Sequence, residues 1–283
     1  LKALEGVSLE GIRVVADCAN GAAYFTTPEA LRRAGAEVIV MNAEPDGSKI
    51  NVNCGSTNTD AVAARVLKEG AHAGLAHDGD ADRVIAVDEK GQTVDGDAII
   101  AATAADLAER GRLDGNIVVT TVMANLGFRE AMKERGIEVV ETDVGDRYVV
   151  EAMKQRGAVI GGEQSGHVIF REYATTGDGL ITALRLLSLL RGGRPLSEVA
   201  SIVRRYPQVL VNVRVNDKGV VSSDEASSVI SEVAASLGDS GRVLVRPSGT
   251  EPLVRVMVEA TQQEAAQAAA DRIAEAIRDG GGA

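Results

Sequence analysis

The chain opens with short apolar runs separated by amphipathic segments. Residues 12–16 and 38–41 are rich in β-branched residues, and a turn at Asn20-Gly21 and a helix over 28–34, ended by Gly35, lie between them. Helices that end at glycine and lead into buried strands are typical of βαβ units. This part of the sequence predicts a mostly parallel sheet covered by helices on both faces.

The same pattern returns about a hundred residues later. Residues 117–121 predict a strand, 125–127 a turn, 128–135 a helix and 137–140 the next strand. Ala30-Leu-Arg-Arg-Ala-Gly and Ala131-Met-Lys-Glu-Arg-Gly resemble each other in pattern and identity. A repeat this long is no solenoid unit, so we predict two similar α/β domains in tandem.

The pattern changes after Tyr206-Pro207. Valines occupy every second position from 209 to 215, the period of a strand with one buried face. Two capping boxes, Ser222-x-x-Glu225 and Thr261-x-x-Glu264, predict the starts of two helices, the second of which stops at the glycine run 280–282. With further strands at 242–246 and 254–258, this is a small α+β domain.

We therefore predict three domains with an α/β fold. Residues 1–103 and 104–206 form the two tandem α/β domains, with mixed, mostly parallel sheets, and residues 207–283 form the C-terminal α+β domain. The chain starts at Leu1 without an initiator Met or a leader pattern. We expect it to be a fragment of a longer protein.

Composition excludes some functions. The net charge is −11, spread along the chain, which disfavours nucleic acid as the main partner because such binding neutralises phosphates with Lys and Arg. No apolar run reaches the length of a membrane span. Cys18 and Cys54 have no metal or redox spacing, so we interpret them as reduced thiols of a cytoplasmic protein.

The segment His77-Asp-Gly-Asp-Ala-Asp-Arg83 lies between apolar runs at 73–76 and 84–87. Aspartates at alternate positions of an extended loop project to one side, and three such carboxylates need a cation to stay ionised. Mg²⁺ held by Asp78, Asp80 and Asp82 meets that need. A solvated acidic turn explains this spacing less well. An EF-hand fails because Arg83 stands where glycine is required and the flanks are strands.

A second loop, Arg246-Pro-Ser-Gly-Thr-Glu-Pro252, follows a predicted strand. Glycine lets consecutive backbone amides face one anion, hydroxyls add donors, and arginine supplies a charged fork. The alternative is an ordinary Ser-Gly hairpin turn. The predicted phosphate-binding residues are Arg246, Ser248, Gly249, Thr250 and Arg255.

A third loop, Gly161-Gly-Glu-Gln-Ser-Gly-His167, follows another strand-like run. Its glycines allow a ligand to approach the backbone, and Glu163 and Ser165 are placed to bond vicinal sugar hydroxyls. His167 is a candidate proton relay, with a structural histidine as the alternative. The stretch 142–148 is either part of this site or a plain connection with Asp146 near a helix N-terminus.

Taken in this order, the three loops resemble the α-D-phosphohexomutase family over essentially the whole chain. Asp-Gly-Asp-Ala-Asp-Arg is similar to its metal loop, Gly-Glu-Gln-Ser-Gly-His to its sugar loop, and Arg-Pro-Ser-Gly-Thr-Glu-Pro to its phosphate loop. Gln164 and Val144-Gly-Asp-Arg-Tyr148 look most like the phosphoglucosamine mutase branch. Phosphomannomutase/phosphoglucomutase members more often have Met at the former position.

The resemblance implies a four-domain enzyme of which this chain carries domains two to four. The phosphoserine belongs to domain one, so we expect this chain to be inactive alone. Asp143, where many relatives have Lys, is a second departure. The complete enzyme would interconvert glucosamine 6-phosphate and glucosamine 1-phosphate through a bisphosphate. A phosphomannomutase/phosphoglucomutase, a non-catalytic phosphosugar-binding module and a Mg²⁺-dependent aspartate phosphatase are the alternatives.

The resemblance also implies roles for the loop residues. The three aspartates would hold Mg²⁺ against the serine phosphate, with Arg83 neutralising that phosphate. Arg83 and His167 would act in catalysis, and the sugar would bind Glu163, Ser165 and His167. The three loops are expected to share one cleft. The expected partners are a phosphorylated hexosamine and the N-terminal domain of the same protein. Neither nucleic acid nor a membrane is expected as a partner. The sequence leaves open whether the protein forms a homodimer.

Overall fold

The computed structural model describes residues 1–249 and 251–281. The chain divides into two compact units. The first comprises Leu1–Ala124 and Phe128–Arg204, and the second comprises Asn125–Gly127 and Arg205–Ala283. The predicted boundaries of three domains stay a prediction.

The first unit begins with a five-stranded sheet in the order β2-β1-β3-β4-β5. Strands β1, β2 and β3 are parallel, and β4 and β5 continue the sheet in antiparallel pairs. Its elements are β1 (Arg13–Asp17), α1 (Ala23–Arg33), β2 (Glu37–Met41), α2 (Asp60–Glu69), β3 (Ala73–His77), β4 (Val84–Asp88), β5 (Thr93–Val94) and α3 (Gly96–Glu109).

A second sheet of this unit has the order β7-β6-β8-β9. Again the first three strands are parallel and the last is antiparallel. Its elements are β6 (Ile117–Thr121), α4 (Leu126–Glu134), β7 (Glu138–Thr142), α5 (Asp146–Arg156), β8 (Ile160–Gly162), β9 (Val168–Phe170), α6 (Gly179–Ser188) and α7 (Leu196–Ala200). Because this order repeats β2-β1-β3-β4, the predicted tandem α/β architecture is confirmed.

The core of the first unit explains why both sheets have continuous apolar strands. One large cluster joins inner-face residues of both sheets with α3 and α6, including Leu75, Ile99, Val118 and Leu186. The outer face of each sheet packs against its own helix, with Val62 of α2 on the first and Met153 of α5 on the second. Burial on both faces favours β-branched runs without polar alternation.

The second unit is a small α+β structure, as predicted. Its antiparallel sheet has the order β10-β12-β11 and packs one face against two helices. The elements are β10 (Gln208–Arg214), α8 (Asp224–Leu237), β11 (Gly241–Pro247), β12 (Leu253–Ala260) and α9 (Gln263–Gly281). Within residues 1–249 and 251–281, no helix combines the length and apolar character needed to cross a membrane.

Several predicted helix starts are wrong, and α4 begins at Leu126, inside the predicted turn 125–127. Helix α1 begins at Ala23, five residues before Pro28, although the proline removes one backbone hydrogen bond. Thr27 of the extra turn is 1% exposed and contacts His77, whereas Tyr24 and Phe25 are 44% and 64% exposed. Helix α8 is capped by Ser223, whose Oγ accepts from the Ala226 N–H, and not by Ser222.

The two cysteines are free thiols buried close to β1. Burial and the neighbouring Asp17 carboxylate raise the pKa of Cys18 to about 12, and the same two causes raise the pKa of Cys54. Both thiols therefore stay protonated near neutral pH, and a thiol is a poor nucleophile compared with its thiolate.

Candidate functional site

The three aspartates lie in the tight connection between β3 and β4. This hairpin closes at the pair His77–Val84, and Ala81 adopts a left-handed conformation with φ 64°. The turn brings one carboxylate oxygen each from Asp78, Asp80 and Asp82 within 4.8 Å of one another. The structure therefore brings the three predicted metal ligands together.

The electrostatics of this cluster fit a divalent cation. Burial and a hydrogen bond with Asp82 raise the pKa of Asp78 to about 7, and the charges of Asp82 and Asp80 act in the same direction. The Oδ1 atom of Asp82 is buried and accepts no hydrogen bond from the residues described. Carboxylate oxygens are the ligands that Mg²⁺ prefers. Asp78, Asp80 and Asp82 would hold such a cation, and its charge would offset the repulsion between their carboxylates.

Arg83 ends the carboxylate loop. Its backbone N–H donates to Asp78 Oδ1 at 3.1 Å, and its guanidinium Nε lies 3.9 Å from both Asp78 Oδ2 and Asp82 Oδ1. These two distances exceed hydrogen-bond length, and the side chain is 43% exposed. Arg83 therefore places a positive charge beside the carboxylates, and its guanidinium does not form a hydrogen bond with them.

The carboxylate loop and the sugar loop occupy equivalent positions in the repeat. The first joins β3 to β4 and the second joins β8 to β9, the third and fourth strands of each sheet in chain order. The two loops meet in an antiparallel bridge between Arg83 and His167, and the Val84 N–H donates to the Gly166 carbonyl at 3.2 Å. The first unit thus joins two of the three predicted loops in one place.

His167 lies between these two loops. Its Nε2 is 3.5 Å from Asp82 Oδ2, and the side chain is 3% exposed. Its Nδ1 is buried and has no hydrogen-bond partner among the residues that the structure describes. The imidazole therefore contacts the carboxylate cluster through Nε2, and its Nδ1 forms no hydrogen bond with the residues described.

Glu163 and Ser165 lie in the sugar loop with different environments. The Glu163 Oε1 accepts from the Gly145 N–H at 3.0 Å, which ties the sugar loop to the 142–148 stretch. Ser165 is exposed. Asp146 begins α5, as the alternative interpretation of that stretch predicted. The connection is therefore both a helix start and a support for Glu163.

The N-terminus of α3 forms hydrogen bonds with the sugar loop. The Gly96 N–H donates to the Gln164 carbonyl at 3.0 Å, and the Gln164 Nε2 donates to Asp97 Oδ2 at 3.2 Å. A Cβ at Gly96 would lie 2.1 Å from the Glu163 carbonyl oxygen. Only glycine permits this approach, because the obstructing atom belongs to the backbone.

We expect Gly96→Ala to lower the free energy of unfolding of the first unit by about 2–3 kcal/mol, the upper range for overpacking where side-chain rotation gives no relief. Gly47→Ala is the matched control because nothing lies within 4 Å of its Cβ position. It should change stability by less than about 0.5 kcal/mol. Denaturant unfolding of the two variants measures the difference, and equal stabilities would contradict the close packing.

The segment 176–179 also lines this site and was not predicted from the sequence. A Cβ at Gly177 would lie 2.4 Å from His167 Nε2, so only glycine leaves room for the imidazole. Asp178 caps α6 by accepting from the Ile181 N–H at 2.9 Å, and the Gly179 N–H donates to the Ala81 carbonyl at 2.9 Å. Two glycines flanking an N-cap aspartate were the available signal.

His77 is a second missed residue. It is fully buried, and burial lowers its pKa to about 4, so its ring is neutral at ordinary pH. Its Nδ1 lies 3.2 Å from the Arg83 carbonyl and its Nε2 lies 3.1 Å from the Thr27 hydroxyl. A histidine just before the carboxylate motif gave no sequence signal for these partners.

The predicted phosphate loop belongs to the second unit and connects β11 to β12. Ser248 is 5% exposed, and its Oγ accepts from the Glu251 N–H at 3.3 Å. Arg246 and Arg255 face each other across the two strands, and Arg255 also lies 3.3 Å from Glu251 Oε2. Gly249 is exposed, and Thr250 lies outside the described residues.

Lys218 is a cation near this loop that the sequence analysis missed. Its Nζ donates to the Ser248 carbonyl, so a third positive charge accompanies Arg246 and Arg255. The expectation that this loop shares a cleft with the other two stays a prediction.

Comparisons with known proteins identify the family to which the chain belongs. Models of the phosphoglucomutase/phosphomannomutase family match its alpha/beta/alpha domain II over residues 2–91, its alpha/beta/alpha domain III over 95–206 and its C-terminal domain over 210–276. These matches cover most of the chain in the family's domain order. The chain belongs to the phosphoglucomutase/phosphomannomutase family, and the predicted resemblance to phosphohexomutases is confirmed.

Within that family, the chain is similar to bacterial phosphoglucosamine mutases. It is 58% identical to the phosphoglucosamine mutase of Thermobifida fusca over 273 residues, which are 96% of this chain and 61% of that protein. It is 56% identical to the phosphoglucosamine mutase of Nocardioides sp. over the same shares. The chain thus spans about three fifths of the length of these relatives.

The fold is also that of a solved N-acetylphosphoglucosamine mutase. The structure of the Aspergillus fumigatus enzyme, in complex with GlcNAc-6P and magnesium, matches with a TM-score of 0.80 and 23% identity. The match covers 99% of this chain and 64% of that one. This likeness supports the predicted α/β fold.

Proposed function

We propose that the intact protein interconverts glucosamine 6-phosphate and glucosamine 1-phosphate by phosphoryl transfer through a bisphosphate. The observation that carries the proposal is the meeting of the carboxylate cluster with Arg83 and His167 in one place. High identity to phosphoglucosamine mutases favours glucosamine as the sugar. The phosphoryl donor would be a phosphoserine outside this chain, which spans about three fifths of the length of its relatives.

The carboxylate loop is proposed to receive the transferring phosphate. Asp78, Asp80 and Asp82 would hold Mg²⁺, which when bound stabilises negative charge that develops on phosphoryl oxygens. A divalent cation and Arg83 together balance three carboxylates, so the loop need not repel an incoming phosphate. The Arg83 guanidinium, which makes no hydrogen bond to these carboxylates, is available to that phosphate.

The sugar loop is proposed to hold the hexosamine and move a proton. Glu163 would accept hydrogen bonds from sugar hydroxyls, and Ser165 would donate one to a sugar hydroxyl. The Gly145 N–H, which donates to Glu163 Oε1, orients the Glu163 side chain. His167 would take the proton of the attacking hydroxyl and return it to the leaving oxygen. Its Nε2 lies 3.5 Å from Asp82 Oδ2.

The phosphate loop of the second unit is proposed to bind the phosphate that does not react. Arg246, Ser248, Gly249, Thr250 and Arg255 would contact it, and Lys218 adds charge. A bisphosphate that reorients presents either phosphate to this loop, so contacts that tolerate both orientations are required. The cytoplasmic location and a homodimer remain predictions.

A substrate comparison tests the proposal. The intact protein is assayed with the 6-phosphates of glucosamine, glucose and mannose, each with Mg²⁺ and with EDTA, beside the 283-residue chain alone. We expect the highest kcat/KM with the glucosamine compound, loss of turnover in EDTA, and no turnover by the chain alone.

Each contrary result has a distinct meaning. A higher kcat/KM with glucose or mannose phosphate would assign a phosphomannomutase/phosphoglucomutase activity. Binding of phosphosugar without turnover by the intact protein would assign a binding module. Turnover by the chain alone would refute the proposed role of a phosphoserine outside it.

A further inference from the structure

The two hydrogen-bond partners of the buried His77 ring determine which ring nitrogen carries the proton. A backbone carbonyl only accepts, so the Nδ1 atom facing the Arg83 carbonyl at 3.2 Å carries the proton. In a neutral ring, Nε2 is then the acceptor, and the Thr27 hydroxyl at 3.1 Å donates to it. A chain of two hydrogen bonds therefore runs from α1 through His77 to the end of the carboxylate loop.

We propose that Thr27 and His77 are positioning residues that hold the carboxylate loop in its metal-binding shape. The inference rests on the proposed function, because it assumes that the three aspartates bind a divalent cation. Both would act through the loop backbone, which the His77 ring contacts at the Arg83 carbonyl.

The placement of these contacts supports the proposal. His77 and Arg83 are the residues on either side of the loop, so a bond from the His77 ring to the Arg83 carbonyl closes the loop at its base. Among the loop's other contacts, the Arg83 N–H donates to Asp78 Oδ1, and the Gly179 N–H at the start of α6 donates to the Ala81 carbonyl. The His77 ring connects the base of the loop to the Thr27 side chain of α1.

Helix α1 contacts the loop at a second point. The Ala22 N–H, next to the start of the helix, donates to the Gly79 carbonyl at 2.8 Å. The loop is therefore held against α1 both near its middle and, through His77 and Thr27, at its base. A shift of the base would move the carboxylates relative to one another.

Such a shift affects metal binding more than it affects folding. Mg²⁺ requires near-ideal octahedral geometry at about 2.1 Å from each oxygen, so small displacements of its ligands are costly. Contacts outside the ligand set that orient metal ligands contribute about 10–100-fold to affinity in other metal sites. A purely structural histidine would instead affect stability alone.

The test is a Mn²⁺ titration of the intact protein followed by electron paramagnetic resonance, since oxygen sites of this kind accept Mn²⁺ in place of Mg²⁺. Thr27→Val keeps the shape but removes the hydroxyl, and we expect the Mn²⁺ Kd to rise about tenfold. Thr27→Ser restores the hydroxyl and should bind within about twofold of the unsubstituted protein.

The matched control is Thr103→Val. Thr103 is also fully buried in a helix of the same unit, but its hydroxyl donates to the Ile99 carbonyl. It should lose stability without loss of Mn²⁺ affinity. If Thr27→Val fails to fold, Thr27→Ala removes the hydroxyl without added volume and is judged by the same criterion.

The outcomes separate this inference from the proposed function. Normal Mn²⁺ binding by Thr27→Val, or equal losses in Thr27→Val and Thr103→Val, overturns the positioning role and leaves the proposed function standing. Failure of the unsubstituted protein to bind Mn²⁺ overturns both. A tenfold loss that Thr27→Ser rescues supports the inference.

Discussion

Replacing Asp80 with asparagine is expected to lower the mutase turnover of the intact protein about 10³-fold. A divalent cation that stabilises transferring phosphate charge contributes several kcal/mol, and about 4 kcal/mol corresponds to that factor. Asp80 is the most exposed of the three carboxylates. No hydrogen bond or ion pair joins it to the residues described, so the isosteric change removes charge and little else.

The stability of this variant without metal provides a second measurement, because it should stay the same or increase while turnover decreases. Asp80→Asn removes one of three like charges within 4.8 Å, so the variant should unfold at the same or a higher denaturant concentration than the unsubstituted protein in EDTA. Asp239→Asn, an exposed aspartate in the second unit, is the matched control and should retain turnover. Full activity of Asp80→Asn would exclude the metal role of this loop.

Glu5→Gln is expected to cost about 3 kcal/mol in the free energy of unfolding. Arg185 is 1% exposed, and its Nη1 lies 2.7 Å from Glu5 Oε1. Its other carboxylate neighbour, Asp106, is 3.8 Å away. Removing the Glu5 charge leaves a buried guanidinium poorly compensated, which is a costly way to break a buried pair.

A double-mutant cycle distinguishes this cause from general disruption. Arg185→Met should cost only about 1 kcal/mol, because it removes the buried charge itself. Glu5 keeps Arg110 and Arg112, and Asp106 keeps Arg110 and Arg191. In the Arg185→Met background, the cost of Glu5→Gln in the free energy of unfolding should then be about 2 kcal/mol smaller than in the unsubstituted protein. Additive costs would show that the ion pair is not responsible.

The same network predicts a pH dependence. Burial alone favours a higher pKa for Glu5, but hydrogen bonds and charges from Arg112 and Arg185 outweigh it and place the pKa below the usual 4.5. A carboxylate with a lowered folded-state pKa stabilises the fold above 4.5 and loses that contribution as the pH falls through its own pKa. Glu5→Gln should therefore unfold with a weaker dependence on pH in the acid range.

Several local features were predictable from the sequence because local periodicity determines them. The strand 117–121 has the predicted bounds, since five consecutive apolar or threonine residues buried on both faces need no partner to be recognised. The carboxylate loop was predictable for a similar reason, because alternation in an extended turn places its aspartates together. The repeat of two α/β architectures followed from the same kind of pattern.

What the sequence could not specify is how distant segments meet. The Arg83–His167 bridge, the approach of Gly177 to the imidazole and the hydrogen bond from Thr27 to His77 join residues between 10 and 84 positions apart in the chain. No periodicity encodes such pairs, because they depend on how two sheets pack around α3 and α6. The sequence determined the chemistry of each loop, and the packing of the repeated sheets decided that the carboxylates and the imidazole share one site.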